Sequence, residues 1–232
     1  MHVTAIIVAA GEGRRIGGST PKPYLPLCGR PMVLCTLDRF FSSRTITNVI
    51  LVVAANEISR CEALLRTDSV VASRAWVLQS GGATRQQSVK RGLEKIDMAT
   101  DIVLIHDGDR PLVTPALIDR CAEEGYEKGA VVAGVPVRDT IKVVSKDRWV
   151  QTTPARSSLW EIQTPQAFRK ELIVEAHEWA EREGAAATDD AMLVERMGKP
   201  VFVLEGERTN FKITVPQDVW LAEALIRAGR LS

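Results

Sequence analysis

The stretch that most constrains this chain is Val3–Pro23, VTAIIVAAGEGRRIGGSTPKP. A short apolar run, Val3–Ala10, leads into a glycine-rich turn. β-Branched apolar sequence ending at glycine reads as a buried strand. Gly11, Gly13, Gly17 and Gly18 let backbone N–H groups turn inward toward a ligand. Arg14, Arg15 and Lys22 bring positive charge to the same place. A loop of this kind at the carboxyl end of a strand suits a multiply charged anion such as a nucleoside triphosphate.

Two common phosphate motifs do not fit. Ile16 stands where the dinucleotide fingerprint needs its third glycine, and no Gly-Lys-Ser/Thr opens a helix. Pro21 and Pro23 oppose a helix directly after the glycines, so the loop is expected to stay extended and hold Lys22 on a stiff segment. The glycines and arginines alone also fit a solvated surface turn; Lys22 weighs against that.

At 232 residues the chain suits one α/β domain or two small ones. Its net charge of +1 gives no support for a nucleic-acid or membrane surface. Cys28, Cys35, Cys61 and Cys121 are widely spaced, with no C-x-x-C pair. They read as reduced thiols of a cytoplasmic protein, not a disulfide frame or a zinc site. The N-terminal apolar run is too short for a signal sequence, and no segment approaches the roughly 20 apolar residues of a membrane span.

Strands and helices then alternate. Helices are expected over Pro31–Phe41, Glu57–Arg66, from a Thr84 cap, and from Thr114-Pro115 to Tyr126. Strands are expected over Val49–Ala54, Ala75–Leu78, Asp101–Ile105 and Val131–Val137. The pattern predicts an α/β fold with a Rossmann-like, doubly wound, mostly parallel sheet. Thr140–Val150 reads as a β-hairpin turning at Ser145-Lys146-Asp147 and standing off the sheet. Its exposed Ile141, Val143, Trp149 and Val150 predict a homodimer through this arm. Further helices are expected over Lys170–Glu183, Thr188–Met197 (started by Thr188) and Pro216–Ala228, with strands at Val201–Leu204 and Phe211–Thr214. One domain, residues 1–232, with an arm at 138–160, accounts for the whole. The chain stops just after its closing helix, so no second catalytic domain is expected.

In such a sheet ligands bind beyond the carboxyl ends of the strands. Ala9–Lys22, Gly81–Ser88 and His106–Pro111 fall there. Gly81-Gly82 before a helix start, with Arg85 and Ser88 one turn apart, can cradle a base or a phosphate; an ordinary capped helix is the alternative. A carboxylate beside a polyphosphate suits a hard divalent cation such as Mg²⁺. Asp107 is the expected ligand, while Asp109 caps the turn or pairs with Arg110. His106 reads as structural, and His2 and His177 as surface residues. With no protein nucleophile evident, the parts suit an acceptor phosphate attacking the α-phosphorus of a nucleotide. Arg15 and Lys22 suit the triphosphate, and Arg156 and Lys212 a second anion.

Several motifs occur in order: Ala9-Ala10-Gly11-Glu12-Gly13-Arg14-Arg15 with Pro21-Lys22, Gly81-Gly82-x-x-Arg85-x-x-Ser88, and His106-Asp107-x-x-Arg110-Pro111. Asp139-Thr140-Ile141-Lys142, Thr164-Pro165-Gln166, Thr188-Asp189-Asp190 and Asn210-Phe211-Lys212-Ile213-Thr214 follow. The ensemble resembles the 2-C-methyl-D-erythritol 4-phosphate cytidylyltransferases over nearly the whole chain. The resemblance implies CMP transfer from CTP to that polyol phosphate, with release of pyrophosphate and use of Mg²⁺. It implies that Arg15 and Lys22 stabilise transition-state charge, and that Ala9, Ala10, Gly11, Gly13, Gly82, Arg85, Ser88 and Gly108 line the CTP site. It places Asp107 on the metal and Arg110, Thr140 and Thr164 on the acceptor side, where Arg156 and Lys212 hold the phosphate. It also implies that the arm carries Thr140 and Arg156 into a partner's site. Two departures stand out: Ala83 where some members carry aspartate, and Gly108-Asp109 where Ala-Ala is common. A ribitol-5-phosphate cytidylyltransferase and a CTP-sensing module without turnover are the rival readings. A sensor needs only one anion site, so the second basic cluster argues against it.

Overall fold

The computed structural model describes residues 1–11 and 20–229. Strand β1 (Val3–Ala9) is followed by the short strands β2 (Pro26–Leu27) and β3 (Arg30–Pro31) and by helix α1 (Met32–Phe41). Next come β4 (Ile46–Val53), α2 (Ile58–Thr67), β5 (Trp76–Ser80) and α3 (Arg85–Leu93). Then β6 (Ile102–Asp107), α4 (Pro115–Lys128) and β7 (Ala130–Pro136) complete the alternating part. The remainder holds β8 (Val143–Val144), β9 (Val150–Thr152), β10 (Trp160–Arg169), α5 (Lys170–Glu183), α6 (Asp190–Arg196), β11 (Phe202–Glu205) and α7 (Pro216–Arg227).

Seven strands form one sheet in the order β11-β7-β10-β6-β1-β4-β5. All neighbours run parallel except β10, which is antiparallel to both β6 and β7. Alternation along each strand sends side chains to two cores. Val3, Ala5 and Ile7 meet α1, α2 and α4 on one face, where Phe40, Leu65 and Leu117 are fully buried. Ile6, Ile50 and Val103 meet α3, α5 and α6 on the other. Each such side chain contributes roughly 1.5–3 kcal/mol by leaving water. Helices on both faces explain why β1, β4 and β6 read as continuous apolar runs. A third cluster, Leu27, Met32, Leu112, Ile213 and Ala222, ties α7 to the β2–β3 hairpin.

Thr84 and Thr114 cap α3 and α4 as expected, accepting from the backbone N–H groups of Gln87 and Leu117. The hairpin is present too. Val143 and Val144 pair with Thr152 and Val150, and Trp149 is 77% exposed.

Four local expectations are corrected. Pro21-Lys22-Pro23 is not extended. Lys22–Tyr24 forms a 3-10 turn, because Pro23 needs no donor in a first turn and the N–H of Tyr24 reaches the carbonyl of Pro21 at 2.9 Å. Phe211–Thr214 forms no strand; Ile213 donates its N–H to the Asp109 carbonyl at 2.9 Å and buries its side chain in the third cluster. Helix α6 is capped by Asp189, not Thr188: Asp189 stands at the last extended position before the helix, and its carboxylate accepts from the N–H of Met192 at 3.0 Å. His177 is not a surface residue; it is 3% exposed, at the junction of α5 and α6.

Strand β10 is an element the sequence reading left unassigned. Gln163, Thr164 and Gln166 are buried at its centre, and Pro165 interrupts its pairing with β7 between Ile162 and Gln166. A strand with three polar residues and a proline gives no hydrophobic signal. Because β10 runs backwards, Gln163–Pro165 lie beside the carboxyl end of β6.

Candidate active site

The carboxyl ends of β1, β4, β5 and β6 open on a cavity of about 660 Å³. It is lined by Gly81–Arg85 and Ser88, by Ala10, Gly11 and Ala54–Asn56, and by Asp107, Asp109 and Lys212. Gly81 is obligatory: a Cβ there would sit 2.5 Å from that of Ala10. The Ser88 hydroxyl shapes the Gly81–Arg85 segment. It accepts from the Gly82 N–H at 3.1 Å and donates to the Thr84 carbonyl at 2.9 Å. Gly108 packs under β1, where a Cβ would lie 3.0 Å from that of Ala9. Gly13 and Arg15 lie outside the described residues.

A second cavity of about 300 Å³ adjoins it, lined by Arg110, Gln163, Thr164 and Asp189 among others. Arg85, Asp107 and Lys212 line both chambers and so form the partition. Lys212 arrives on the irregular segment pinned by Ile213, which is why that segment is not a strand. Its Nζ is 3.0 Å from Asp107 Oδ2, while Arg85 Nε donates to Asp107 Oδ1 at 3.0 Å. Arg110 Nε sits 3.7 Å from Asp107 Oδ2, and its Nη1 donates to the Asn210 carbonyl at 2.9 Å.

Burial opposes ionisation of Asp107, but Arg85, Lys212 and Arg110 outweigh it and hold the carboxyl well below the usual carboxylate range. Asp109 neither caps the turn nor pairs with Arg110, the two alternatives expected of it, among the described residues. It meets Lys22, and its Oδ1 is 3.7 Å from Lys212, because the Arg110 guanidinium is directed toward Asn210 and Asp107.

His106 is fully buried, and burial pushes its imidazole down to about 3. A neutral ring fits its contacts: Nε2–H donates to the Arg110 carbonyl at 3.1 Å, and Nδ1 accepts from the Thr164 hydroxyl at 2.9 Å. The same hydroxyl accepts from the Asp107 N–H at 3.1 Å. Thr164 therefore fixes the floor through its own hydrogen bonds.

The residues suit a divalent cation bound together with phosphate. Asp107 is ionised, and Asp109 Oδ1 is buried with no hydrogen-bond partner among the described residues. Mg²⁺ is usually held by one or two carboxylates plus substrate phosphates. Among the described residues no set of three or more His, Cys, Asp or Glu gathers into a metal cage.

Thr140 and Arg156 stand apart. Both are exposed at the arm, with Arg156 Nη1 donating to the Arg138 carbonyl at 3.0 Å, and neither lines the two chambers. Sequence reasoning missed Asn56 and Gln163, which carry no motif, and gave Asp190 no role although its motif was visible.

Comparisons with known proteins bear on the family and the fold. A family model described as 2-C-methyl-D-erythritol 4-phosphate cytidylyltransferase (IspD) matches residues 3–228. A protein of that name from Caldanaerobacter subterraneus is 42% identical, covering 98% of this chain and 100% of its own. A crystal structure of the 4-diphosphocytidyl-2C-methyl-D-erythritol synthase of Anaerococcus prevotii superposes with a TM-score of 0.86 at 32% identity, covering 97% of this chain and 96% of that one. The cytidylyltransferase of Thermus thermophilus does so with a TM-score of 0.79 at 37% identity, covering 98% and 100%. With a family model matched over residues 3–228 and a relative 42% identical over 98% of the chain, the chain belongs to the 2-C-methyl-D-erythritol 4-phosphate cytidylyltransferase family.

Proposed function

We infer that the chain transfers CMP from CTP to 2-C-methyl-D-erythritol 4-phosphate, in the formation of isoprenoid precursors. The observation that carries this reading is the Arg85–Asp107–Lys212 partition, which separates two polar chambers at the sheet edge. A phosphate oxygen of the acceptor attacks the α-phosphorus of CTP. The new P–O bond forms as the bond from that phosphorus to its bridging oxygen breaks, and pyrophosphate leaves with the electron pair. No protein nucleophile is needed, because the acceptor is already anionic. The protein orients two anions and offsets charge.

CTP occupies the larger chamber, against Ala10, Gly11, Gly82 and Ser88, with Ala9 and Gly108 supporting the floor. Lys22 and Arg15 stabilise charge on the triphosphate. Lys212, Arg110 and Arg156 hold the acceptor phosphate, with Thr140 and Thr164 beside it. Arg85 acts through Asp107. Asp107, with Asp109 beside it, would hold Mg²⁺, which offsets charge on the triphosphate when bound.

The chain works as one catalytic unit, residues 1–232, and as a homodimer joined through the arm. Exposed Ile141, Val143, Val144, Trp149 and Val150 on the hairpin support the second point. The distance of Thr140 and Arg156 from the chambers in their own protomer suits a role in the partner's site. No helix among the described residues is long and apolar enough to cross a membrane. Four thiols, none in a disulfide, suit the reducing cytoplasm.

The test is pyrophosphate release from a panel of nucleoside triphosphates with 2-C-methyl-D-erythritol 4-phosphate or ribitol 5-phosphate. Release is expected with CTP and the methylerythritol acceptor. Faster release with ribitol 5-phosphate would reassign the acceptor, and release independent of acceptor would exclude group transfer.

A further inference from the structure

A line of alternating charge runs from the partition into the protein. Arg85 spans two carboxylates: its Nε donates to Asp107 Oδ1 at 3.0 Å, and its Nη1 donates to Asp190 Oδ2 at 2.6 Å. The other oxygen of Asp190 lies 3.1 Å from His177 Nε2. The side chains of Asp190 and His177 are 1% and 3% exposed, and neither lines the two chambers.

A buried carboxylate is costly unless paired. Asp190 is not needed to cap α6, since Asp189 does that. What Asp190 does is occupy one arm of a guanidinium. An arginine facing a single carboxylate favours the two-bond, side-by-side arrangement that takes both oxygens. Here Arg85 takes only Oδ1 of Asp107, and Oδ2 is left to Lys212 at 3.0 Å, to Arg110 at 3.7 Å and to the cleft.

We propose that Asp190, held by His177, is a positioning residue that keeps Arg85 from closing over both oxygens of Asp107. With Asp190 neutral, Arg85 turns onto Asp107 and competes with a divalent cation for it. His177 supports the same geometry from α5, so a helix remote from the chambers helps set the affinity of the site. The inference rests on the proposed role of Asp107 in holding Mg²⁺.

The experiment uses the full chain, with Asp190→Asn, His177→Gln, His177→Leu, Arg85→Gln and the double variant Asp190→Asn/Arg85→Gln. Two quantities are read: the Mn²⁺ dissociation constant in the presence of CTP, by electron paramagnetic resonance, and the Mg²⁺ concentration giving half-maximal turnover. Asp190→Asn is expected to raise both about tenfold, as loss of an outer partner of a metal ligand does. His177→Gln, which still donates to Asp190, is expected to stay near the parent, and His177→Leu to shift both values upward. In the Arg85→Gln background, Asp190→Asn should change them by less than about twofold, because its effect passes through Arg85. Should Asp190→Asn fail to fold, His177→Leu against His177→Gln carries the same comparison. Unchanged Mn²⁺ binding in the folded variants, or an equal shift in both arginine backgrounds, overturns the inference. A parent that binds no Mn²⁺ with CTP overturns the metal reading and this inference with it.

Discussion

Lys22 sits on the first 3-10 turn after the glycine loop and meets Asp109, not solvent. In the proposed reaction it exchanges that carboxylate for the phosphates of CTP. Lys22→Ala is therefore expected to lower turnover by about 10²–10³-fold, as loss of a transition-state charge stabiliser does. Steady-state kinetics of a variant that unfolds at the parent's temperature checks this; turnover within a few-fold of the parent removes Lys22 from the mechanism. His106, deeper under the floor, has both ring nitrogens engaged, with the Arg110 carbonyl and the Thr164 hydroxyl. Buried and neutral, with its folded value pushed down to about 3, it makes stability depend on pH. Between about pH 6.5 and 3 the unfolded chain takes up a proton at this position and the folded chain does not. Stability should fall by roughly 1.4 kcal/mol per pH unit as pH drops through that window. Asp107 and Asp190, both held low, add to the loss only nearer the ordinary carboxylate range. Denaturant unfolding at several pH values should show a shallower slope for His106→Gln, and equal slopes would remove His106 as the cause.

Among elements, legibility followed the hydrophobic signal. The apolar runs of β1 and β4, the spacing of Met32, Leu34, Cys35, Leu37 and Phe40 in α1, and the Thr84 and Thr114 caps could be read directly, because each is a local rule obeyed locally. Strand β10 could not. Its buried Gln163, Thr164 and Gln166 are satisfied by partners far along the chain, Glu207, His106 and Asp189, which no window on the sequence brings together. The same holds for Asp190 and His177, whose pairing is tertiary. That Gly82, Arg85, Ser88, Asp107 and Lys212 gather around one cleft was legible, since glycines and charges at strand ends announce themselves; their roles are proposals. The arm is the element whose role is most open to measurement. Replacing Trp149 and Val150 with charged residues is expected to convert a dimer to monomers in sedimentation at micromolar concentration. Activity should fall with it, because Thr140 and Arg156 would lose the partner's chambers. A parent that sediments as a monomer contradicts the shared site.

At the scale of the molecule, the reversed strand and the irregular Lys212 segment turn an ordinary ligand edge into two chambers with a charged partition. In the proposed reaction the parallel strands supply the edge for the nucleotide. Strand β10 and the segment after β11 supply the second chamber, and the charged side chains on the partition belong to neither alone. Such a construction makes sense for joining two anions and not for binding one. The most direct measurement is ³¹P NMR of the purified protein with CTP, 2-C-methyl-D-erythritol 4-phosphate and Mg²⁺. The expected result is one pyrophosphate and one new diphosphate diester for each CTP consumed. CTP left intact, or consumed to CMP without the diester, would contradict transfer between the two chambers.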